Sequence, residues 1–366
     1  MALGPLLTYY CDKMGKKLSV LLYLVIFTVF AGGCVTHEYA YRLPTYEIPL
    51  EKGTVLRSIN LPADLEEKIL ALDPVSVSGK DINEVLFRTP APRIMNIHGG
   101  IYPVFLLMES FSKFLILMGY PEDKIRNPAD GSYSYSCYEN SGKLAGMLAW
   151  YYEKEGLRPI IVGHSQGGIQ TVKVLHKLAG RFEKELPVWN PLEGKEENRF
   201  SITDPLTGRQ QPVVGMKISY ATVVGAGGIS RFLPNQWVMM NKLRSIPDSV
   251  VEFTGFYMGL DVFGGDLLGF GPLNKFEPDG AAAIRSVKLP AAYSHIFVPL
   301  TRHLARSRET RDWINSYTPS EEPRLTVEFK SSSMNILWAA DVWHSIKKHW
   351  VLELQNLIRA KRNPGP

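Results

Sequence analysis

The sequence predicts an α/β fold built on a parallel sheet, and two observations carry this prediction. Short apolar segments typical of buried strands alternate along the chain with segments whose apolar residues recur at helical spacing. Strands that alternate with helices are joined by crossover connections, which generate a parallel sheet. In addition, the apolar run 159–162 leads directly into the pentapeptide Gly-His-Ser-Gln-Gly at 163–167, and a helical pattern follows. Strand, sharp turn and helix in this order make Ser165 a candidate nucleophile.

The elements follow from local patterns. We expect strands over 93–98, 159–162, 216–224, 250–258 and 284–289, and helices over 61–72, 105–118, 142–155 and 168–178. Gly119 and Gly156 end two of these helices, because glycine readily adopts the left-handed conformation that closes a helix. An insertion over about 185–248 contains a proline-glycine turn at 204–208, which predicts a surface hairpin. We interpret its apolar stretch 232–240 as a cap over the site, with an ordinary core helix as the alternative.

The N-terminus has the layout of a secretory signal. Lys16-Lys17 precede the apolar stretch 18–31, which is shorter than the roughly 20 residues that a membrane-spanning helix needs. The small residues 31–33 before Cys34 resemble a bacterial lipobox, which implies cleavage of a signal peptide (1–33) and lipidation of Cys34. Met14 is an alternative start, and an uncleaved anchor helix is the alternative reading. Residues 34–90 are expected to form a tether and an N-terminal segment.

Composition excludes several functions. The chain has 41 basic and 36 acidic residues, a formal net charge of +5, and apart from 359–362 the basic residues are scattered. Nucleic-acid binding, which needs a clustered basic face, is therefore not expected. The His, Asp and Glu residues show no ligand spacing, so neither a metal nor another cofactor is expected. After cleavage Cys137 would be the only free thiol, and we expect a structural role for it.

The ordered motifs resemble those of the α/β-hydrolase superfamily, in particular bacterial lipases, esterases and thioesterase-like members. In order along the chain, one strand is followed by His-Gly-Gly at 98–100 and the next by the nucleophile motif at 163–168. A later strand is followed by an acid, and another by a histidine. The resemblance covers roughly residues 90–310. It implies a hydrolase domain over 91–366, with helices on both faces of a mostly parallel sheet and a small cap insertion. It also implies that the site lies at the carboxyl ends of the strands.

A serine hydroxyl needs a base that accepts its proton, and the base needs an acid that orients it. His295 lies in a loop beyond the last predicted strand and is the expected base, with His303 as its rival. Asp261 lies closest to the end of the strand 250–258 and is the expected acid. Asp266 could reach the same position if the strand bulged, whereas Asp248 precedes the strand and would lie at its other end.

An oxyanion hole needs two backbone N–H donors that point at the developing negative charge. We expect these donors from Gln166, at the start of a helix, and from Gly100, with Ile101 as the alternative to Gly100. Their side chains are expected to be incidental to this role. His98 and His164 neighbour these residues, and for both we expect a supporting role and no proton transfer.

These predictions together indicate a serine hydrolase that cleaves ester or thioester bonds through an acyl-enzyme. The expected substrate is a small molecule or lipid with an apolar acyl group, because Phe232, Trp237 and Met240 lie in the predicted cap. The expected location is the bacterial cell envelope, as an outer-membrane lipoprotein held by the lipid on Cys34. An inactive envelope binding or scaffold lipoprotein with the same fold, and a serine peptidase, are the alternative functions.

Overall fold

The computed structural model describes residues 61–227, 234–259, 261, 263–264 and 275–363. Outside these ranges lie the predicted signal peptide with Cys34, the alternative acid Asp266, and Phe232 of the predicted cap. The helices are α1 (Ala63–Ala71), α2 (Gly79–Glu84), α3 (Tyr102–Leu117), α4 (Ser141–Glu155), α5 (Gln166–Leu178), α6 (Arg308–Ser316) and α7 (Ile336–Arg362). Short 3-10 helices occupy Leu86–Arg88, Glu122–Lys124, Pro234–Met239 and Arg302–Ala305.

A parallel sheet forms the centre of the fold. The strands are β1 (Ile94–Ile97), β2 (Ile160–His164), β3 (Trp189–Asn190), β4 (Lys195–Glu196), β5 (Ser201–Thr203), β6 (Gln210–Pro212), β7 (Ile218–Val224), β8 (Ser245–Pro247), β9 (Val250–Met258), β10 (Glu277–Asp279) and β11 (Ala283–Leu289). Within the described ranges the main sheet has five strands in the order β1-β2-β7-β9-β11, and every neighbouring pair is parallel. The predicted α/β class with a parallel central sheet is confirmed.

Apolar residues cover both faces of this sheet. Because successive side chains of a strand point to opposite faces, Ile94 and Met95 of β1 enter two different buried clusters. The first cluster contains buried residues of α3 and α7, and the second contains those of α4 and α5. The sheet is therefore covered by helices on each side, which leaves the ends of its strands for the loops.

The insertion between α5 and β7 carries short antiparallel pairs. β5 pairs with β6 across the turn at 204–208, which confirms the predicted hairpin, and β3 pairs with β4 across a similar turn. The apolar stretch that we interpreted as a cap contains the 3-10 helix Pro234–Met239 in its described part.

The long helix α7 was not predicted, although its apolar residues recur at helical spacing. Trp338, Trp343 and Trp350 of this helix are completely buried. The described part of the segment expected as a tether packs against α7: the Gln355 side-chain amide donates to the carbonyl of Ile69 at 3.1 Å. Residues 61–90 are thus part of the packed structure.

In the part of the chain that the structure describes, no helix has the length and apolar character needed to cross a membrane.

Candidate active site

Ser165 lies at a sharp turn between a strand and a helix. β2 ends at His164, α5 begins at Gln166, and Ser165 between them has φ 55° and ψ −121°. A non-glycine residue in this conformation costs on the order of 1–3 kcal/mol and persists only where the surroundings hold it. The backbone thus turns sharply at Ser165 between the strand and the helix, as the motif predicted.

The glycines of the motif allow the backbone to pack closely around Ser165. A Cβ atom on Gly163 would lie 2.6 Å from the carbonyl oxygen of Gly167. A Cβ atom on Gly167 would lie 2.6 Å from the carbonyl oxygen of His98, at the end of β1. Such distances are far below van der Waals contact. Glycine at 163 therefore allows the start of α5 to pack against β2, and glycine at 167 allows it to approach the end of β1.

The structure brings Ser165, His295 and Asp261 together. Nε2 of His295 lies 2.8 Å from Oγ of Ser165, and its Nδ1 lies 2.8 Å from Oδ2 of Asp261. The three residues follow β2, β11 and β9, which are parallel strands of the same sheet. Their loops meet because the carboxyl ends of parallel strands lie at one edge.

The hydrogen bonds determine which nitrogen of His295 carries a proton. A carboxylate only accepts hydrogen bonds, so the proton on the Asp261 side belongs to Nδ1. Nε2 then presents its lone pair to the hydroxyl of Ser165, which is the arrangement of a general base. The backbone N–H of Gly264 donates to Oδ1 of Asp261 at 2.7 Å and holds the carboxylate in place.

The rival residues have other surroundings. Asp248 accepts a hydrogen bond from the backbone N–H of Ala282 at 3.1 Å, just before β11. His303 lies on the 3-10 helix Arg302–Ala305. Burial lowers the pKa of His303, and its Nε2 has no hydrogen-bond partner among the described residues. Only His295 of these two histidines is bonded to Ser165.

The expected oxyanion donors lie next to each other. Gln166 is the first residue of α5, and the first N–H groups of a helix have no acceptor within it. Its side chain is only 4% exposed and packs against Gly100, since a Cβ atom on Gly100 would lie 3.3 Å from Cδ of Gln166. The Gln166 side chain is therefore part of the packing of this loop, while the expected oxyanion role concerns only its backbone N–H. Ile101, the alternative donor, is the residue before α3.

Two side chains hold the carbonyl groups of this loop. Nδ1 of His98 donates to the carbonyl of Gly99 at 2.8 Å, and the Tyr138 hydroxyl donates to the carbonyl of Gly100 at 2.8 Å. Each peptide plane is thereby oriented, because the N–H of a trans peptide points away from its carbonyl. Sequence reasoning missed Tyr138, which lies in a polar segment without a motif.

The surroundings of His295 include two further features that the sequence did not reveal. His164 is completely buried, and its Nε2 donates to the backbone carbonyl of His295 at 2.7 Å. Gly225, after β7, has φ 62°, and a Cβ atom on it would lie 2.7 Å from Nδ1 of His295. The glycine-rich bend after β7 thus packs directly against the imidazole of His295.

Exposed apolar side chains lie near the site or in the cap segment. The ring of Phe263 is 5.7 Å from that of His295, and 46% of the residue is exposed. Trp237 and Met240 of the cap segment are also exposed. In contrast, Cys137 is buried, and burial raises the pKa of its thiol well above the usual range, so it is not suited to act as a nucleophile.

Among the described residues, no group of three or more His, Cys, Asp and Glu side chains is arranged to hold a metal ion. No protein-family model matches the chain, and no curated protein is significantly similar to it.

Proposed function

We propose that this protein is a serine hydrolase of the α/β-hydrolase superfamily that cleaves ester or thioester bonds. The observation that carries the proposal is the continuous hydrogen-bonded chain from Asp261 through His295 to Ser165, with both bonds at 2.8 Å. These hydrogen bonds end at Ser165, on a strained turn directly before a helix, which is the place where an attacking hydroxyl and its oxyanion donors are needed together.

In the proposed reaction, Oγ of Ser165 attacks the carbonyl carbon of the substrate while Nε2 of His295 takes its proton. Asp261 stabilises the resulting imidazolium, and the backbone N–H groups of Gln166 and Gly100 stabilise the negative oxygen of the tetrahedral intermediate. His295 then gives its proton to the leaving alcohol or thiol, and an acyl-enzyme forms. A water molecule, activated by the same imidazole, attacks the acyl-enzyme and releases the acid.

The proposed substrate has an apolar acyl group. Phe263, whose ring lies 5.7 Å from that of His295, is 46% exposed, and exposed apolar surface beside a polar site favours an apolar ligand. Trp237 and Met240 of the predicted cap are exposed as well. We further propose that the enzyme is held in the bacterial envelope by a lipid on Cys34, which is consistent with the lipobox-like residues 31–34.

Intact-mass measurement after treatment with a fluorophosphonate probe tests this proposal. The membrane-extracted wild type should gain one probe per chain, the Ser165→Ala variant should gain none, and the control Ser76→Ala should react like the wild type. The same spectrum reports cleavage before Cys34 and its acylation. An unlabelled, folded wild type would favour an inactive binding or scaffold protein. Comparing nitrophenyl esters of increasing chain length with peptide amides separates an esterase from a peptidase.

A further inference from the structure

His164 connects the strand that carries the nucleophile with the loop that carries the base. It is completely buried, and its Nε2 lies 2.7 Å from the carbonyl oxygen of His295, 131 positions along the chain. The two imidazole rings are 5.2 Å apart and tilted by 47°. His164 is also the residue directly before Ser165, so one side chain spans from the nucleophile's strand to the backbone of the base.

The hydrogen bond identifies the tautomer of His164. A carbonyl oxygen only accepts, so the proton must be on Nε2, and Nδ1 is then unprotonated. Nδ1 is buried and has no hydrogen-bond partner among the described residues. It faces Gly99, since a Cβ atom on Gly99 would lie 3.2 Å from it. His164 thus fills the space between the base loop and the loop that carries the expected oxyanion donor Gly100.

The side chain supplies this hydrogen bond without adding a charge. Burial, together with the neighbouring His295, lowers the pKa of His164 to about 3, so the ring stays neutral at physiological pH. A cation at this position would oppose the imidazolium that forms on His295 during the reaction. A neutral donor can therefore fix the base loop and leave the base free to become charged.

We propose that His164 is a positioning residue, whose Nε2–H anchors the backbone of His295 so that the base remains within hydrogen-bond distance of Ser165. This inference rests on the proposed function, because it concerns how the same base is aligned. Misplacement of a catalytic group by about 1 Å can cost about 100-fold in rate. The anchor acts on the chemical step and leaves the binding of the substrate unchanged.

Two amide substitutions separate the anchoring bond from the presence of a polar side chain. In His164→Gln the amide nitrogen has the same number of bonds from Cα as Nε2, so it can reach the carbonyl of His295. In His164→Asn the amide nitrogen takes the place of Nδ1 and cannot. Both side chains are neutral and polar, so the Gln variant is the matched control for the Asn variant.

The measurements are kcat and KM on a nitrophenyl ester and the rate constant of fluorophosphonate labelling. We expect His164→Gln to retain kcat within about 5-fold and His164→Asn to lower kcat and the labelling rate by about 10- to 100-fold, with KM unchanged. Equal rates for the two variants, or a loss confined to KM, would overturn the inference. If the wild type itself is not labelled, the proposed function fails instead.

A measurement on the wild type covers the case in which neither variant folds. Nitrogen NMR of the protein labelled at histidine should show a neutral His164 with its proton on Nε2. The signal can be assigned by its proximity to the ring of His295, 5.2 Å away, whose own signal should change in the Ser165→Ala variant. A proton on Nδ1, or a doubly protonated ring at neutral pH, would overturn the inference without any effect on the proposed hydrolase.

Discussion

The substitution Asp261→Asn tests the orientation of the base, and the structure specifies how it should act. Oδ1 of Asp261 accepts from the backbone N–H of Gly264 at 2.7 Å, and Oδ2 accepts from Nδ1 of His295 at 2.8 Å. In the Asn variant the carbonyl oxygen must stay opposite the Gly264 N–H. The amide NH₂ group is therefore forced to face His295.

An NH₂ group cannot accept the proton on Nδ1, so the imidazole must change its tautomer. Nδ1 would then accept from the amide, and the proton would move to Nε2, where it points at the Ser165 hydroxyl. The base loses the lone pair that it needs to activate the serine. Tautomer inversion in a Ser-His-Asp site lowers kcat by about 10⁴-fold. At about 1.36 kcal/mol for each factor of ten, this corresponds to about 5.4 kcal/mol in the activation free energy.

The assay is kcat on a nitrophenyl ester, together with the rate constant of fluorophosphonate labelling, for Asp261→Asn and Asp266→Asn. We expect both rates to fall by about 10⁴-fold in the first variant and to change little in the second. Thermal unfolding of both variants provides the control for folding. A loss of less than 10-fold for Asp261→Asn, combined with a severe loss for Asp266→Asn, would refute the assignment of the acid.

Two further predictions concern stability. Gly167→Ala should lower the free energy of unfolding, measured in urea, by about 2–4 kcal/mol, because its Cβ would lie 2.6 Å from the carbonyl oxygen of His98. The control Gly259→Ala, whose Cβ would have no atom within 4 Å, should leave this free energy almost unchanged. Equal effects would show that close approach does not explain the glycine in the motif. Burial lowers the pKa of Lys347 from 10.5 to about 8 in the folded protein, so the unfolded chain binds more protons between these pH values. From pH 8 to 10.5 the free energy of unfolding of the wild type should therefore rise by about 3 kcal/mol relative to that of Lys347→Met. A difference between the two proteins that stays constant over this pH range would contradict this reasoning.

Much of the fold could be predicted because its signals are local. The strand at 250–258 was predicted with the bounds that the structure has, and the turn at 204–208 indicated its hairpin. Helix α7 was not predicted because it lies beyond residues 90–310, which carry the hydrolase-like motifs, although its apolar residues recur at helical spacing. A helical pattern alone does not reveal that the helix packs against the sheet and against residues 61–90.

The sequence by itself determined the strained turn around Ser165, since the glycine requirement there acts over a few residues. It also indicated the order of the proposed nucleophile, acid and base along the chain. Only the tertiary structure brought Nε2 of His164 to the carbonyl of His295 and the Tyr138 hydroxyl to the carbonyl of Gly100. The physical reason is that such contacts join residues far apart in sequence. Which residues meet depends on how the crossover helices and loops pack on the sheet, and no local pattern of residues encodes that packing.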